Sequence, residues 1–361
     1  MPPFVRLMPT CFSLQELYMQ FKHLQQKPSP SSNGARGRAT VDGKIALEEH
    51  FALPETVGDS SGFAPAEYWP ELRLRLLDLH ERRITEMDAN GVEIMILSLN
   101  APTVQAITDT AAAIELARRA NDFLAEQVER RPDRFRAFAA LPLQDPDAAA
   151  VELARCMAMG FKGALVNGFS QAGDAVLYYD LPMYRGFWAE CERLDAPFYL
   201  HPRNPLPQDS AIYDGHSWLL GPTWAFGQET AVHALRLMGS GLFDEHPRLQ
   251  IVIGHMGEGL PFSMWRIDNR NAWIKAPKSY PATRPIAEYF HANFHITTSG
   301  NFRTQSLVDT MLEVGSDRIL FSTDWPFENV DHAAHWFDHA SISECDRLKI
   351  GRTNAMSLFK I

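Results

Sequence analysis

The sequence predicts an α/β protein built as one (β/α)8 barrel, a TIM barrel. Eight short apolar segments recur along residues 43–361, and stretches with helical periodicity separate most of them. Buried strands that alternate with helices form parallel βαβ units, and eight such units in roughly 320 residues fit a closed barrel with insertions. The predicted strands are Lys44–Leu47, Glu93–Ser98, Phe135–Leu141, Gly163–Val166, Pro197–Leu200, Gln250–Ile253, Phe294–Thr298 and Arg318–Ser322.

The segments between these strands differ in length and character. The two longest insertions are Pro54–Pro70 after the first strand and Pro202–Thr223 after the fifth. We expect both to be loops at the mouth of the barrel, where active-site loops lie in this fold. One long helix is indicated by an apolar face that ends before Pro132. That face consists of Ile114, Ala117, Leu124 and Val128.

Residues 1–42 differ from the rest of the chain and are predicted to form a flexible N-terminal extension. The stretch 27–37 is rich in Ser, Pro and Gly, as linkers are. Basic residues dominate residues 1–41, where Glu16 is the single acid, and a short amphipathic helix fits residues 14–24. A mitochondrial transit peptide has these properties, and a disordered extension is the alternative interpretation. The barrel itself is assigned to residues 43–361.

Composition excludes several classes of protein. The formal net charge is −10, from 44 acidic and 34 basic residues, which disfavours binding to nucleic acid. A small anionic substrate remains compatible with this charge, because a metal ion reverses the local field in a pocket. Apolar runs fall short of the roughly 18 residues that a membrane span needs. The four cysteines form no C-x-x-C pair, which indicates reduced thiols in a cytoplasmic protein.

Side chains that bind metals follow several of the predicted strands. Glu48 and His50 come after the first strand, His201 after the fifth and Asp324 after the eighth. Active-site residues of such barrels lie at the C-terminal ends of the strands, so these four are expected to meet. Two carboxylates and two imidazoles suit zinc or another divalent metal. On an extended strand Glu48 and His50 point the same way, whereas Glu49 points away and is expected to be structural or to pair with a cation.

A proton carrier is predicted after the sixth strand. His255 follows that strand, and Glu258 stands three residues further along, at the start of the next helix. A carboxylate in that position orients the imidazole and sets its tautomer. The alternative role of Glu258 is to stabilise the N-terminus of the helix.

These motifs resemble those of the amidohydrolase superfamily over Gly43–Ile361. The superfamily usually has His-x-His after the first strand, and Glu48-x-His50 is typical of its nonoxidative aromatic decarboxylases. Relatives acting on 2,3-dihydroxybenzoate or salicylate have Glu-Glu-Ala there, so His50 favours γ-resorcylate as substrate. Asn167 replaces the bridging lysine of dinuclear members, so one metal is expected. The segments with the resemblance are GKIALEEHFALPE, ILSLNAPTVQA, FAALPLQDP, GALVNGFSQ, FYLHPRNPLPQDS, GPTWAFGQETAVHALRL, IGHMGEGLPF, ITTSGNF and ILFSTDWPFEN.

The resemblance implies a role for each matching residue. The implied metal ligands are Glu48, His50, His201 and Asp324. The implied catalytic residues are Asp324, His255 and Glu258. The implied substrate-binding residues are Phe63, Phe226 and Phe327, together with Arg266 and Asn271, which reach the site from a neighbouring subunit. It also implies one Mn²⁺ or Zn²⁺ per subunit, no organic cofactor, and a homotetramer built as a dimer of dimers.

The implied reaction is the nonoxidative, reversible decarboxylation of 2,6-dihydroxybenzoate to resorcinol and CO2. Asp324 would protonate the ring carbon, with His255 and Glu258 as the proton relay. A decarboxylase of 2,3-dihydroxybenzoate or salicylate is a close alternative. A metal-dependent amidohydrolase or lactonase would use the same residues, with Asp324 as general base. A non-catalytic scaffold would have a degraded site, whereas every expected ligand is present.

Overall fold

The computed structural model describes residues 43–273 and 280–361, and eight parallel strands form its centre. Each lies where the sequence predicted a strand, with ends that differ by a few residues. The fifth and sixth strands, for example, each begin one residue later than predicted. The strands are β1 (Lys44–Phe51), β2 (Val92–Leu99), β3 (Phe135–Ala137), β4 (Ala164–Asn167), β5 (Phe198–His201), β6 (Ile251–Ile253), β7 (Phe294–Thr297) and β8 (Ile319–Leu320).

The strands close into a barrel in chain order. Hydrogen-bonded ladders join β1 to β3 in one sheet and β4 to β8 in another. A parallel bridge between Ala139 and Ala164 connects β3 to β4, and a second between Leu47 and Ser322 returns the chain to β1. The predicted (β/α)8 barrel is therefore confirmed.

Helices surround the barrel, and alternate residues along each strand fill its interior. Inward side chains such as Ile45, Ile94 and Leu165 form an inner core, and outward ones such as Met95 pack under the helices. The alternation follows from the two-residue period of a strand. The helices are α1 (Trp69–Leu77), α2 (Arg82–Ala89), α3 (Thr110–Arg130), α4 (Pro146–Ala158), α5 (Arg185–Leu194), α6 (Ala225–Gly239), α7 (Leu242–Glu245), α8 (Leu260–Trp273), α9 (Ile286–Asn293), α10 (Thr304–Val314), α11 (Val330–His339), α12 (Glu344–Leu348) and α13 (Asn354–Phe359).

The two predicted insertions are ordered by short turns of 3-10 helix. The loop after β1 contains one such helix, Val57–Phe63, and leads into α1. The loop after β5 contains four, from Pro207 to Thr223. A small antiparallel hairpin, Ser170–Ala172 with Ala175–Leu177, follows β4. Both insertions follow C-terminal strand ends, as expected for loops that surround an active site.

The N-terminal extension of residues 1–42 lies outside the described residues, so its division from the barrel at residue 43 stays a prediction. Within the described ranges, none of the helices combines the length and the apolar character that crossing a membrane requires.

Candidate metal centre and active site

Side chains from four strand ends meet at the mouth of the barrel. Glu48 Oε1 lies 3.2 Å from His201 Nε2 and 3.4 Å from His255 Nε2. Asp324 Oδ1 lies 3.6 Å from His50 Nε2, and its Oδ2 lies 3.9 Å from His255 Nε2. The structure thus brings together all four predicted ligands and the predicted proton carrier.

The backbone reaches this arrangement differently from the expectation of a regular strand. β1 continues to Phe51, and its register against β2 shifts between Ala46 and Glu49. Glu48 sits in this irregularity with φ of +57°, so the extended backbone assumed for Glu48 and His50 was wrong there. The left-handed conformation is unfavourable for a residue with a Cβ and is common at functional sites.

The donor set fits a divalent metal ion. Glu48, His50 and His201 each offer an atom within 4.8 Å of the others, and Glu48, His255 and Asp324 form a second such group. Glu48 Oε1 and His50 Nε2 are buried without a hydrogen-bond partner among the described residues. Buried polar atoms are rarely left in this state, and a cation between them would satisfy both.

The protonation states favour metal binding as well. Burial raises the pKa of Glu48, but the surrounding imidazoles, His255 foremost, outweigh burial and lower the pKa to about 2. Burial and the neighbouring His201 lower the pKa of His50 to about 3. A carboxylate and a neutral imidazole are the forms that coordinate metals. Burial, together with the charge of Glu48, raises the pKa of Asp324 despite the opposing effect of His255.

Partners behind the ligands hold two of them in place. Ser98 Oγ lies 3.2 Å from His50 Nδ1, which leaves Nε2 facing the cluster. The hydroxyl of Tyr199 donates to Glu48 Oε2 and lies 2.8 Å from Thr297 Oγ1. Such contacts fix the orientation of a ligand and tune its basicity. None of the three partners was predicted, although Tyr199 precedes His201 by two residues and therefore shares its side of β5.

A glycine makes room for the ligand that Tyr199 holds. A Cβ on Gly254 would lie 2.8 Å from Glu48 Oε2 and 3.2 Å from the Tyr199 hydroxyl oxygen. Glycine at this position, directly after β6, therefore permits the close approach of Glu48 to the strand.

His255 and Glu258 form the pair that the sequence predicted. His255 Nδ1 lies 2.7 Å from Glu258 Oε1, and Glu258 is nearly buried. Burial lowers the pKa of His255, but the negative charges of Glu258 and Glu48 outweigh burial and raise it well above the usual value. The imidazole is thus held as a proton donor whose free nitrogen faces Asp324.

The three predicted aromatic residues make two ring–ring contacts. The rings of Phe63 and Phe226 meet edge to face, with centroids 5.2 Å apart. Phe327 packs against the His50 ring at 5.6 Å. Phe63 comes from the loop after β1, Phe226 from the start of α6 and Phe327 from the turn after β8, so three separate segments contribute half-buried rings.

Arg266 and Asn271 lie outside this cluster. Both are on α8, where Arg266 is exposed and Asn271 lines a surface groove with Asp180 and Arg236. In the described part of the chain, the hydrogen bonds and ion pairs of the cluster involve neither side chain. Their predicted part in substrate binding therefore depends on a neighbouring subunit.

The barrel, the mixed oxygen and nitrogen donors at its mouth, and the adjacent imidazole–carboxylate pair define a metal-dependent barrel enzyme. The amidohydrolase family model matches residues 53–361, and the chain belongs to this family. Within it, the chain belongs with the γ-resorcylate decarboxylases. The relative of that name from Rhizobium sp. (strain MTP-10005) is 71% identical over 324 residues, which cover 89% of this chain and 99% of the relative. The relative from Rhodococcus jostii (strain RHA1) is 68% identical over 327 residues, with the same coverage.

Solved structures give the same assignment. A 2,6-dihydroxybenzoate decarboxylase in complex with 2,6-dihydroxybenzoate superposes with a TM-score of 0.87 at 71% identity, covering 89% of this chain and 100% of the other. A dihydroxybenzoic acid decarboxylase from Polaromonas sp. JS666, with bound manganese and the inhibitor 2-nitroresorcinol, also has a TM-score of 0.87, at 68% identity. That match covers 89% of this chain and 97% of the other.

Proposed function

We propose that this protein is a carboxy-lyase that converts 2,6-dihydroxybenzoate to resorcinol and CO2 without oxidation, and that carboxylates resorcinol in the reverse direction. The observation that supports this most is the position of Asp324, which faces both the metal-binding cluster and the His255 imidazole. The relatives named for this reaction share about seven in ten residues with the chain.

The chemical problem is to lose CO2 without forming an aryl anion. Protonation of the ring carbon that bears the carboxylate avoids the anion, and an ionised ortho hydroxyl pushes electron density onto that carbon. When bound, a divalent cation supplies the positive charge that favours the ionised phenol and fixes the orientation of the substrate. We propose that Glu48, His50, His201 and Asp324 hold this cation, one per subunit, as Mn²⁺ or Zn²⁺.

Asp324 is the proposed acid. Burial raises the pKa of its carboxyl group, which favours uptake of a proton from His255, and a general acid must stand within hydrogen-bond reach of the atom it protonates. After the proton moves to the ring carbon, the bond to the carboxylate breaks and its electrons restore the aromatic ring. His255, backed by Glu258, returns a proton to Asp324.

The aromatic side chains are proposed to form the wall of the substrate pocket. Phe63, Phe226 and Phe327 present half-buried rings from three separate segments around the barrel mouth. A flat benzoate packs against such rings, and their apolar surface excludes water from the reacting carbon.

We propose that Arg266 and Asn271 complete the site of a neighbouring subunit in a homotetramer. The face of α8 that bears Arg266 also exposes Phe262 and Trp265, with 86% and 74% of their surfaces accessible. Leu312, on the adjacent α10, is 82% exposed. Large exposed apolar side chains on neighbouring helices are typical of subunit interfaces.

A hydrolase of the same family is the second candidate, because a cation would activate water, and Asp324 as general base would take its proton as the water oxygen attacks the carbonyl carbon of an amide or lactone. Product analysis separates the two. Protein loaded with Mn²⁺ is incubated with 2,6-dihydroxybenzoate, 2,3-dihydroxybenzoate or salicylate, and with a panel of amides and lactones. We expect resorcinol from the first compound at the highest kcat/KM, and loss of turnover after chelation that Mn²⁺ restores. A hydrolysed amide or lactone with no phenol from any benzoate would exclude the proposal.

The proposed location is the cytoplasm. Among the described residues Cys156 and Cys191 are buried free thiols and Cys345 is an exposed one, as expected in a reducing compartment. The N-terminal extension leaves mitochondrial import as the alternative, which fusion of residues 1–42 to a reporter would reveal.

A further inference from the structure

Glu49 lies between two residues of the metal cluster but faces the opposite side of β1. Its side chain is fully buried, and both of its oxygens accept hydrogen bonds from the turn that follows β8. Oε1 accepts from the Thr323 amide at 2.8 Å and from the Ser322 hydroxyl at 3.3 Å. Oε2 accepts from the Thr323 hydroxyl at 2.5 Å and from the Trp325 amide at 3.2 Å. The carboxylate therefore binds the residues immediately before and after Asp324.

The turn that Glu49 binds has an unfavourable backbone conformation. Asp324 has φ of +63°, in the left-handed region that is unfavourable for a residue with a Cβ. Such a conformation persists only where the surrounding contacts over-determine it. The carboxyl group and its four donors supply contacts of that kind on both sides of Asp324, and hydrogen bonds to an ionised carboxylate are among the strong ones.

Arg83 provides the positive charge that a buried carboxylate needs. Its guanidinium is fully buried. Burial raises the pKa of Glu49 to about 7, and the hydrogen bonds from the turn and the charge of Arg83 oppose that rise and favour the ionised form. Arg83 Nη2 donates to the carbonyl of His50 at 2.5 Å, and the guanidinium carbon lies 5.5 Å from the centre of the Trp325 ring. Glu49 and Arg83 together connect the end of β1, with His50, to the turn after β8, with Asp324.

We propose that Glu49 is a positioning residue for the reaction, which fixes the carboxyl group of Asp324 at the angle required for proton delivery to the ring carbon. This inference rests on the proposed function. Substitution of a residue with this role lowers the rate of proton transfer, whereas substrate binding and the fold change little. A residue with a merely structural role changes the fraction of folded protein, and the remaining folded enzyme keeps the kinetics of the wild type.

The test is Glu49→Gln, which keeps the shape of the side chain. Its NH2 group cannot accept a hydrogen bond, so it would face one of the backbone amides, Thr323 or Trp325, that donate to Glu49. The matched control is Glu152→Gln on α4, a buried carboxylate that accepts from Asn121 Nδ2 at 2.7 Å and from Arg155. Thr323→Val is the second variant, because it removes one donor and keeps the buried carboxylate. For each protein, kcat, KM, bound Mn²⁺ and the solvent deuterium isotope effect on kcat are measured per folded molecule.

We expect Glu49→Gln to lower kcat by about 10- to 100-fold, the range for groups that orient a metal-site residue, with KM and Mn²⁺ content close to wild type. The isotope effect should rise, because a misplaced acid makes proton transfer more rate-limiting. Thr323→Val should also lower kcat and raise the isotope effect, but by smaller factors. Glu152→Gln should leave all four quantities unchanged.

Two results would overturn the inference while the proposed function stands: wild-type kcat and isotope effect in both site variants, or a loss of kcat that Mn²⁺ content fully explains. If Glu49→Gln yields no folded protein, Thr323→Val decides between these outcomes. A wild-type protein that releases no CO2 from 2,6-dihydroxybenzoate would instead overturn the proposed function, and this inference with it.

Discussion

His255 and Glu258 form a hydrogen-bonded imidazole–carboxylate pair, with His255 Nδ1 2.7 Å from Glu258 Oε1 and the other ring nitrogen facing Glu48 and Asp324. The pair is directional, because the carboxylate occupies one nitrogen and leaves the other for proton exchange at the barrel mouth.

Glu258→Gln removes the charge that raises the pKa of His255. We expect kcat to fall about 10- to 100-fold, as for other partners that orient an active-site imidazole. The imidazolium loses its proton at lower pH in this variant, so the alkaline limb of the pH–rate profile should move to lower pH. Glu229→Gln, which alters a half-buried carboxylate paired with Tyr178, is the control. An unchanged alkaline limb in Glu258→Gln would show that His255 is not part of the relay.

Tyr199→Phe should weaken metal binding. The hydroxyl that donates to Glu48 Oε2 is lost, so the ligand is less well oriented, and we expect the affinity for Mn²⁺ to fall about 10- to 100-fold by titration calorimetry. Tyr184→Phe is the matched control, since that buried hydroxyl donates to the Leu143 carbonyl at 2.6 Å on another side of the barrel. The control should cost about 1 kcal/mol of folding stability with wild-type Mn²⁺ affinity. Equal affinity in both variants would contradict the role given to Tyr199.

His233 should make the protein less stable in mild acid. Burial lowers its pKa to about 3, and Nε2 accepts a hydrogen bond from the Tyr179 amide at 3.1 Å. The unfolded chain titrates near 6.5, so it binds more protons than the folded state between these values. The contribution of this histidine to stability is therefore complete above about pH 6.5 and is lost progressively as the pH falls towards 3.

The variant His233→Gln isolates this effect, because the amide oxygen can accept from Tyr179 without titrating. Urea unfolding at pH 7.5 and pH 5 should show that the wild type loses up to about 2 kcal/mol more than the variant over this interval. The same pH dependence in both proteins would mean that His233 does not control the acid response.

Subunit mixing tests whether Arg266 acts across an interface. Arg266 is exposed on α8 and separate from its own chain's cluster. Arg266→Ala and Asp324→Asn proteins are each expected to be inactive, since each lacks one part of every site. Hetero-oligomers formed from the two should regain some activity, because some sites then combine an intact Asp324 with an intact Arg266. Verified hetero-oligomers without any recovery would count against a shared site.

The barrel and the composition of the metal cluster could be predicted because both follow from repeated, local patterns. Apolar runs alternate with helices, and polar side chains such as His201 and Asp324 come directly after those runs. The side chains that follow the C-terminal strand ends then share the barrel mouth, because all strands of the barrel run in the same direction.

The contacts that orient the ligands could not be predicted from the same patterns. The irregularity in β1 that turns Glu48 depends on how β1 pairs with β2, and Glu49 finds its partners in a turn more than 270 residues away. In the sequence, Tyr199 resembles an ordinary core residue of an apolar strand. Its role depends on its contact with Glu48, which only the fold reveals. Arg266 and Asn271 depend on a neighbouring subunit, which the pattern of one chain does not describe.

The origin of the new ring hydrogen tests the central claim most directly. Mn²⁺-loaded protein is incubated with 2,6-dihydroxybenzoate in D2O, and the product is analysed by mass spectrometry and proton NMR. If Asp324 delivers a solvent-derived proton to the carbon that loses CO2, each resorcinol should contain one deuterium on the carbon between the two hydroxyls. Release of no CO2 from any ortho-hydroxybenzoate, together with incorporation of ¹⁸O from labelled water into an amide or lactone product, would contradict the decarboxylase assignment.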